Sequence, residues 1–173
     1  KASLNLLAYE DHFGRLLKSF FAERTGAVFS AYPFPVGFKE TRRWLKDIVA
    51  FFDKSERADE LTESYERGYE SAIRRLSPYL AGKRLMIVSF IHDVDWILET
   101  AFDLGMGVEK VGILNLRHDH IFRTRFADRF AWETGYTPEK RDRDLSRIQP
   151  DLMLSNFVPL KLPVAIPDHI LPL

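Results

Sequence analysis

"KRLMIVSF", Lys83–Phe90, decides the fold of this chain. Apolar residues run unbroken from Leu85 to Val88, at the length of a strand and short of a helix. A strand apolar on both sides belongs in a sheet covered on both faces, and that points to a parallel sheet with crossover helices. The next residues agree. Val94, Ile97, Leu98, Ala101 and Phe102 recur at three- and four-residue spacing, and Gly105 closes the helical pattern. "EKVGILNL" (Glu109–Leu116) and "DLMLSNF" (Asp151–Phe157) read as further strands, with "LPVAIP" (Leu162–Pro167) as a fourth. Between them, "HIFRTRFADRFAWET" (His120–Thr134) predicts a helix, with Phe122, Phe126 and Phe130 four apart. "RDLSRIQP" (Arg143–Pro150) predicts a short helical turn. Strands alternating with helices give an α/β, Rossmann-like parallel sheet flanked by helices.

Upstream, the pattern is helical. Leu6, Tyr9, Phe13, Leu16, Leu17, Phe20 and Phe21 make one apolar stripe, ended by Thr25-Gly26. "AVFSAY" (Ala27–Tyr32) reads as a short strand. Pro33 and Pro35 then hold the chain extended before a second helix from Phe38 to about Phe52. A longer charged helix follows, with Leu61, Tyr65, Tyr69, Ile73, Leu76 and Leu80 three or four apart and Pro78 near its end. Three segments result: residues 1–36 closing a preceding Rossmann-like domain, 37–82 as connecting helices, and 83–173 as a Rossmann-like α/β domain.

Composition narrows the function. Formal charge is zero over 173 residues, which gives no electrostatic reason for nucleic acid or an anionic membrane as partner. No cysteine is present, so disulfides, a cysteine nucleophile, thiolate zinc and cysteine-held iron–sulfur clusters are excluded within this chain. No apolar run approaches the roughly 20 residues of a membrane span, and no signal-peptide pattern opens the sequence. A cytoplasmic location is expected. A start at Lys1 without methionine and an end at an apolar "ILPL" suggest a piece of something longer. No glycine-rich phosphate loop follows any strand, which disfavours dinucleotide and P-loop nucleotide binding.

Ligands of open parallel sheets collect at the carboxyl ends of the strands. Two such loops carry polar chemistry. "SFIHDVDW" holds His92, Asp93 and Asp95; either Asp93 caps the helix and His92 is a surface residue, or the two handle protons. "NLRHDHIF" places His118 and His120 two apart, on one side of an extended segment, where they could meet one metal or one anion. His169 follows the last expected strand, and His12 shares the first helix with Glu10 and Asp11.

The order of segments resembles the component 1 family of nitrogenase and nitrogenase-like oxidoreductases. That family includes molybdenum–iron protein subunits, cofactor-assembly scaffolds and dark-operative protochlorophyllide reductase-like subunits. The resemblance rests on "P-x-G-x-x-x-T-x-x-W-L" from Pro35 to Leu45, on "L-x-G-K-R" at Leu80–Arg84 and on "L-G-M" at Leu104–Met106. "SRIQPDLMLSNF" and "LPVAIPDHI" continue it. It covers nearly the whole chain, but only the C-terminal half of a family subunit.

The resemblance implies a fragment of a multi-domain subunit that reduces a substrate, such as a tetrapyrrole, and is inactive alone. Its partners would be a homologous component 1 subunit and an ATP-dependent iron–sulfur reductase. A cofactor-ligating cysteine of the molybdenum–iron branch corresponds to a position near Glu10, where this chain has none. The branch's histidine ligand falls close to His169, and the loop at Phe90–Asp93 matches a cofactor-lining loop with other residues. These departures argue against a dinitrogen-reducing subunit. They leave a reductase of another substrate, with any iron–sulfur cluster or tetrapyrrole held by the full-length protein, or a non-catalytic scaffold for a metallocofactor precursor or a partner subunit. On the first reading His92 and Asp93 would be catalytic, and Glu10, His12, His118, His120 and His169 would face the cofactor.

Overall fold

The computed structural model describes residues 3–8, 12–90, 94–114, 124–155 and 170–172. The chain divides into two compact units, Lys1–Ala72 and Ile73–Leu173.

In the first unit, α1 (His12–Thr25) ends at Gly26, whose φ of 63° is the left-handed cap the sequence predicts. The expected strand at Ala27–Tyr32 is reduced to one parallel bridge, Asn5 to Phe29. The Ser30 and Phe34 N–H groups still donate to the Asn5 and Leu7 carbonyls, at 2.9 and 2.7 Å, but the Ala31 N–H between them is engaged elsewhere. Asp47 of α2 (Phe38–Phe51) accepts hydrogen bonds from the Ser30 hydroxyl at 2.6 Å and from the Ala31 N–H at 3.2 Å. Pro33 and Pro35 have no N–H to offer a ladder. Asp47 thus pins the proline turn to the helix that follows it. Phe34 of that turn leans on Trp44 at 5.4 Å, and Phe38 stacks flat on Tyr69 of α3 (Ser55–Leu80) at 4.7 Å. Arg42 pairs with Glu66 at 2.8 Å.

The second unit is built on β1 (Arg84–Ser89). Leu85 and Ile87 enter one apolar cluster while Met86 and Val88 enter another, so the strand is buried on both faces as its continuous apolar run requires. α4 (Asp95–Asp103) covers the first face through Ile97, Leu98 and Ala101, and leads to β2 (Gly107–Ile113). Tyr136 and Leu145 cover the second face. With β3 (Ala131–Thr134), β4 (Leu152–Ser155) and β5 (Ile170–Pro172), every strand pair among the described residues is parallel, and the order is β3-β2-β1-β4-β5.

Two expectations change here. The predicted helix at His120–Thr134 is, in its described part, a 3-10 turn at Ala127–Arg129 followed by β3 (Ala131–Thr134). Phe126 and Phe130 still reach the core, but a tight turn and extended backbone bring them there. Meanwhile Ala131–Thr134, with its aromatic and β-branched residues, pairs with the otherwise open edge of β2. The turn expected near Arg143–Pro150 is a full helix, α5 (Pro138–Ile148). Its start is set by Thr137, whose hydroxyl accepts from the Lys140 N–H, with Pro138 in the first turn where no N–H is needed. β4 (Leu152–Ser155) lies where "DLMLSNF" predicts it. "LPVAIP" and His169 lie outside the described residues, and β5 is Ile170–Pro172.

A polar network closes the β2–β3–α5 side. Lys110 pairs with Glu133 at 3.2 Å, Lys140 also pairs with Glu133, and the Tyr136 hydroxyl donates to Asp144 at 2.7 Å. Burial and the hydrogen bond to Asp144 push the Tyr136 phenol above its usual range. The Lys140 hydrogen bond, then Lys110, hold Glu133 below the usual carboxylate value. Burial pushes Asp144 up, but hydrogen bonds from Tyr136 and Arg147 and the charge of Lys110 bring it below its usual value. Both folded carboxyls therefore titrate below their unfolded counterparts, and the stability they add is present above the unfolded pKa and lost as pH falls through the folded one. Thermal stability of this unit is expected to hold from neutral pH to about 5 and to fall below about 4. Glu133→Gln should flatten part of that acid limb; an unchanged limb in calorimetry would remove Glu133 from the account.

Candidate functional site

The strand order places the topological switch point between β1 and β4, the position where ligands of open α/β sheets sit. Both strands end there in a buried serine, Ser89 and Ser155. Neither hydroxyl is among the residues singled out from the sequence, although "MIVS" and "LMLS" both break an apolar run with a small polar residue at the carboxyl end. At this edge the Leu114 N–H, just past β2, donates to the Ser89 carbonyl at the end of β1 at 2.9 Å.

α4 begins at this edge with Asp95, the third titratable residue of "SFIHDVDW". A carboxylate in the first turn suits the helix dipole and works against an anionic ligand at the same place. One oxygen, Oδ2, accepts from the Arg125 backbone N–H at 3.1 Å and from its Nε at 3.0 Å. The other, Oδ1, is buried without a hydrogen-bond partner among the described residues. Glu99, one turn on, takes the remaining arm of Arg125 at 2.7 Å. Arg129 lies over the Phe102 ring at 3.6 Å, and Phe126 meets the same ring edge-on.

Of the residues singled out from the sequence, His12 is the exposed first residue of α1, in the first unit. Glu10, His92, Asp93, His118, His120 and His169 lie outside the described residues. No three histidine or acidic side chains come together as metal ligands among the described residues. With no cysteine in the chain, these residues do not fit a thiolate-held cluster. Nor is any helix among the described residues long and apolar enough to cross a membrane.

The profile of the family described as "Nitrogenase component 1 type Oxidoreductase" matches residues 1–161. The chain belongs to this family. As a component 1-type chain it also has the expected fold neighbours, two solved structures titled "Nitrogenase Cp1 at pH 5" and "Nitrogenase Cp1 at pH 6.5". The first matches with a TM-score of 0.59 and 11% identity over 88% of this chain and 38% of that one. For the second the values are 0.61 and 13%, over 89% and 40%. At such identities the likeness is one of fold. The component 1-type chain spans about two fifths of the length of the structures it matches. No curated protein sequence matches it.

Proposed function

We propose that this chain is the cofactor-facing domain of a nitrogenase-like oxidoreductase component 1. It would serve reduction of a substrate, a tetrapyrrole being one class, with electrons from an ATP-dependent iron–sulfur reductase. The family match over residues 1–161 carries the reading. It is supported by a parallel sheet whose switch point adjoins the segment carrying His92 and Asp93 in sequence. On this reading His92 and Asp93 deliver protons, a task that suits histidine because imidazole titrates near neutral pH. Glu10, His12, His118, His120 and His169 contact the bound group. A homologous component 1 subunit completes the site, in the cytoplasm, and the piece alone is inactive. Any iron–sulfur cluster is held by residues outside this chain, because cluster thiolates have no source within it.

A second reading is favoured by the same lack of cysteine: a scaffold that carries a cofactor precursor without turning over substrate. One experiment separates them. The full-length protein, purified anaerobically, is expected to show cluster or tetrapyrrole absorbance and substrate reduction dependent on an iron–sulfur reductase and ATP. Absorbance without turnover selects the scaffold. A colourless, metal-free protein that no reductase engages overturns both.

A further inference from the structure

Every buried apolar residue among the described ones lies in the second unit, from Leu85 onward. In the first unit the buried residues are Gly14, Ser30 and Thr62, which make no apolar core. Yet α1 carries a stripe of Phe13, Leu16, Leu17, Phe20 and Phe21, exposed from 37% at Leu17 to 66% at Phe13. The helix reaches the short parallel ladder of residues 3–8 and 27–34 by its polar flank, where Lys18 donates to the Ser30 carbonyl at 3.3 Å. At about 100° per residue, Phe13, Leu16, Leu17 and Phe20 lie about 100–160° round the helix from Lys18. The stripe is therefore offered beyond the ladder.

That ladder has one open edge. The Asn5 N–H donates to the Val28 carbonyl at 2.8 Å, and the Asn5 carbonyl accepts from the Ser30 N–H at 2.9 Å. Leu4 and Leu6 therefore turn their backbone groups to the other side, where they make no hydrogen bond among the described residues. The outer edge of the second strand is blocked, since the Ala31 N–H goes to Asp47 and Pro33 has none. Two parallel strands alone are not a stable unit; parallel pairs occur inside wider sheets covered on both faces. The second unit shows the completed form, with β4 between β5 and β1.

We infer that a parallel β-sheet continues beside residues 3–8, against the stripe of α1, and that its strands come from the rest of the full-length polypeptide, outside these 173 residues. The chain spans about two fifths of the structures it matches, so a polypeptide of that length has the strands to supply. The face it presents to α1 is apolar, because three phenylalanines and two leucines gain nothing from a polar one. Residues 1–36 then complete a domain begun elsewhere in the polypeptide. The inference rests on the family match and not on the proposed reduction, so a protein that binds no cofactor leaves it standing.

The test uses the full-length protein. Benzoylphenylalanine is placed at position 20, photolysed, and its adducts mapped by mass spectrometry. Amide exchange is followed in peptides covering 3–8 and 12–25. Position 20 is expected to cross-link to its own polypeptide outside these 173 residues, in an apolar strand segment. Leu17→Asp should speed exchange in both peptides by about tenfold or more, since it unseats the helix and opens the ladder edge together. Ser19→Asp, exposed and about 160° round the helix from Leu17, should change neither. Leu17→Ala, mild enough to leave the protein folded, should show the same paired response at smaller scale. Cross-links that join two copies of the chain, reach a separate protein or stay within these 173 residues overturn the inference. So does a Leu17→Asp or Leu17→Ala response no larger than that of Ser19→Asp.

Discussion

Replacing Gly112 by alanine is expected to cost the Ile73–Leu173 unit about 3 kcal/mol, at the upper end of what overpacking one methyl does. An added Cβ would sit 2.2 Å from Cδ1 of Tyr136, with Cε1 at 2.5 Å and Cγ at 2.7 Å. The obstacle is a ring and not the end of a flexible chain. That ring is almost fully buried, clustered with Leu114, Leu145 and Met153, and its hydroxyl is tied to Asp144 at 2.7 Å. Moving it either crowds these neighbours or breaks a hydrogen bond to a charged group, itself worth about 1.5–3 kcal/mol. The check is a double-mutant cycle by urea denaturation. Tyr136→Ala should relieve the clash, so the double variant should be less destabilised than the sum of the singles. Strict additivity would show that the ring is not what Gly112 makes room for.

Gly112 also marks the limit of what the sequence discloses. "EKVGILNL" reads as a strand because Val111 and Ile113 face one apolar cluster, and the structure agrees. That the glycine between them serves a tyrosine 24 positions on depends on the fold as a whole. The two-sided burial of Leu85–Val88 is legible because an unbroken apolar run of strand length suits a strand covered on both faces and little else. β3 is not legible, because Phe126 and Phe130 have helical spacing, and only the open edge of β2 makes extended backbone the better choice for Ala131–Thr134. The site divides likewise. The carboxyl-edge rule directs attention to "SFIHDVDW", yet Arg125, the partner of Asp95, lies 30 residues away inside a segment that reads as helix. No local pattern announces an ion pair of that span. Thr137-Pro138 does announce the start of α5, a cap signal that the short turn expected at Arg143–Pro150 leaves unused.

Two helices with similar apolar periodicity should answer truncation in opposite ways. Leu98→Ala is expected to cost about 3 kcal/mol, because a fully buried leucine leaves a cavity that close-packed neighbours only partly fill. Phe20→Ala, in α1, should cost well under about 1 kcal/mol, as is usual for exposed positions. Phe20 is 53% exposed, and its aromatic contact is Phe21 at 5.5 Å, itself 44% exposed. Exchange of the Ile87 amide reports the first variant, and exchange of the α1 amides reports the second. Comparable losses in both would mean that α1 buries its stripe in solution. The contrast follows from what periodicity can express. Spacing of three and four says that a helix has an apolar face, and it does so equally for Phe13–Phe21 and for Val94–Phe102. Whether that face meets a sheet depends on the strands beside it. α4 lies between β1 and β2 in sequence, so a parallel crossover must bring it down on them, and Leu98 reaches 0% exposure. α1 has only the single bridge from Asn5 to Phe29 beside it among the described residues, and no crossover forces its face against a sheet.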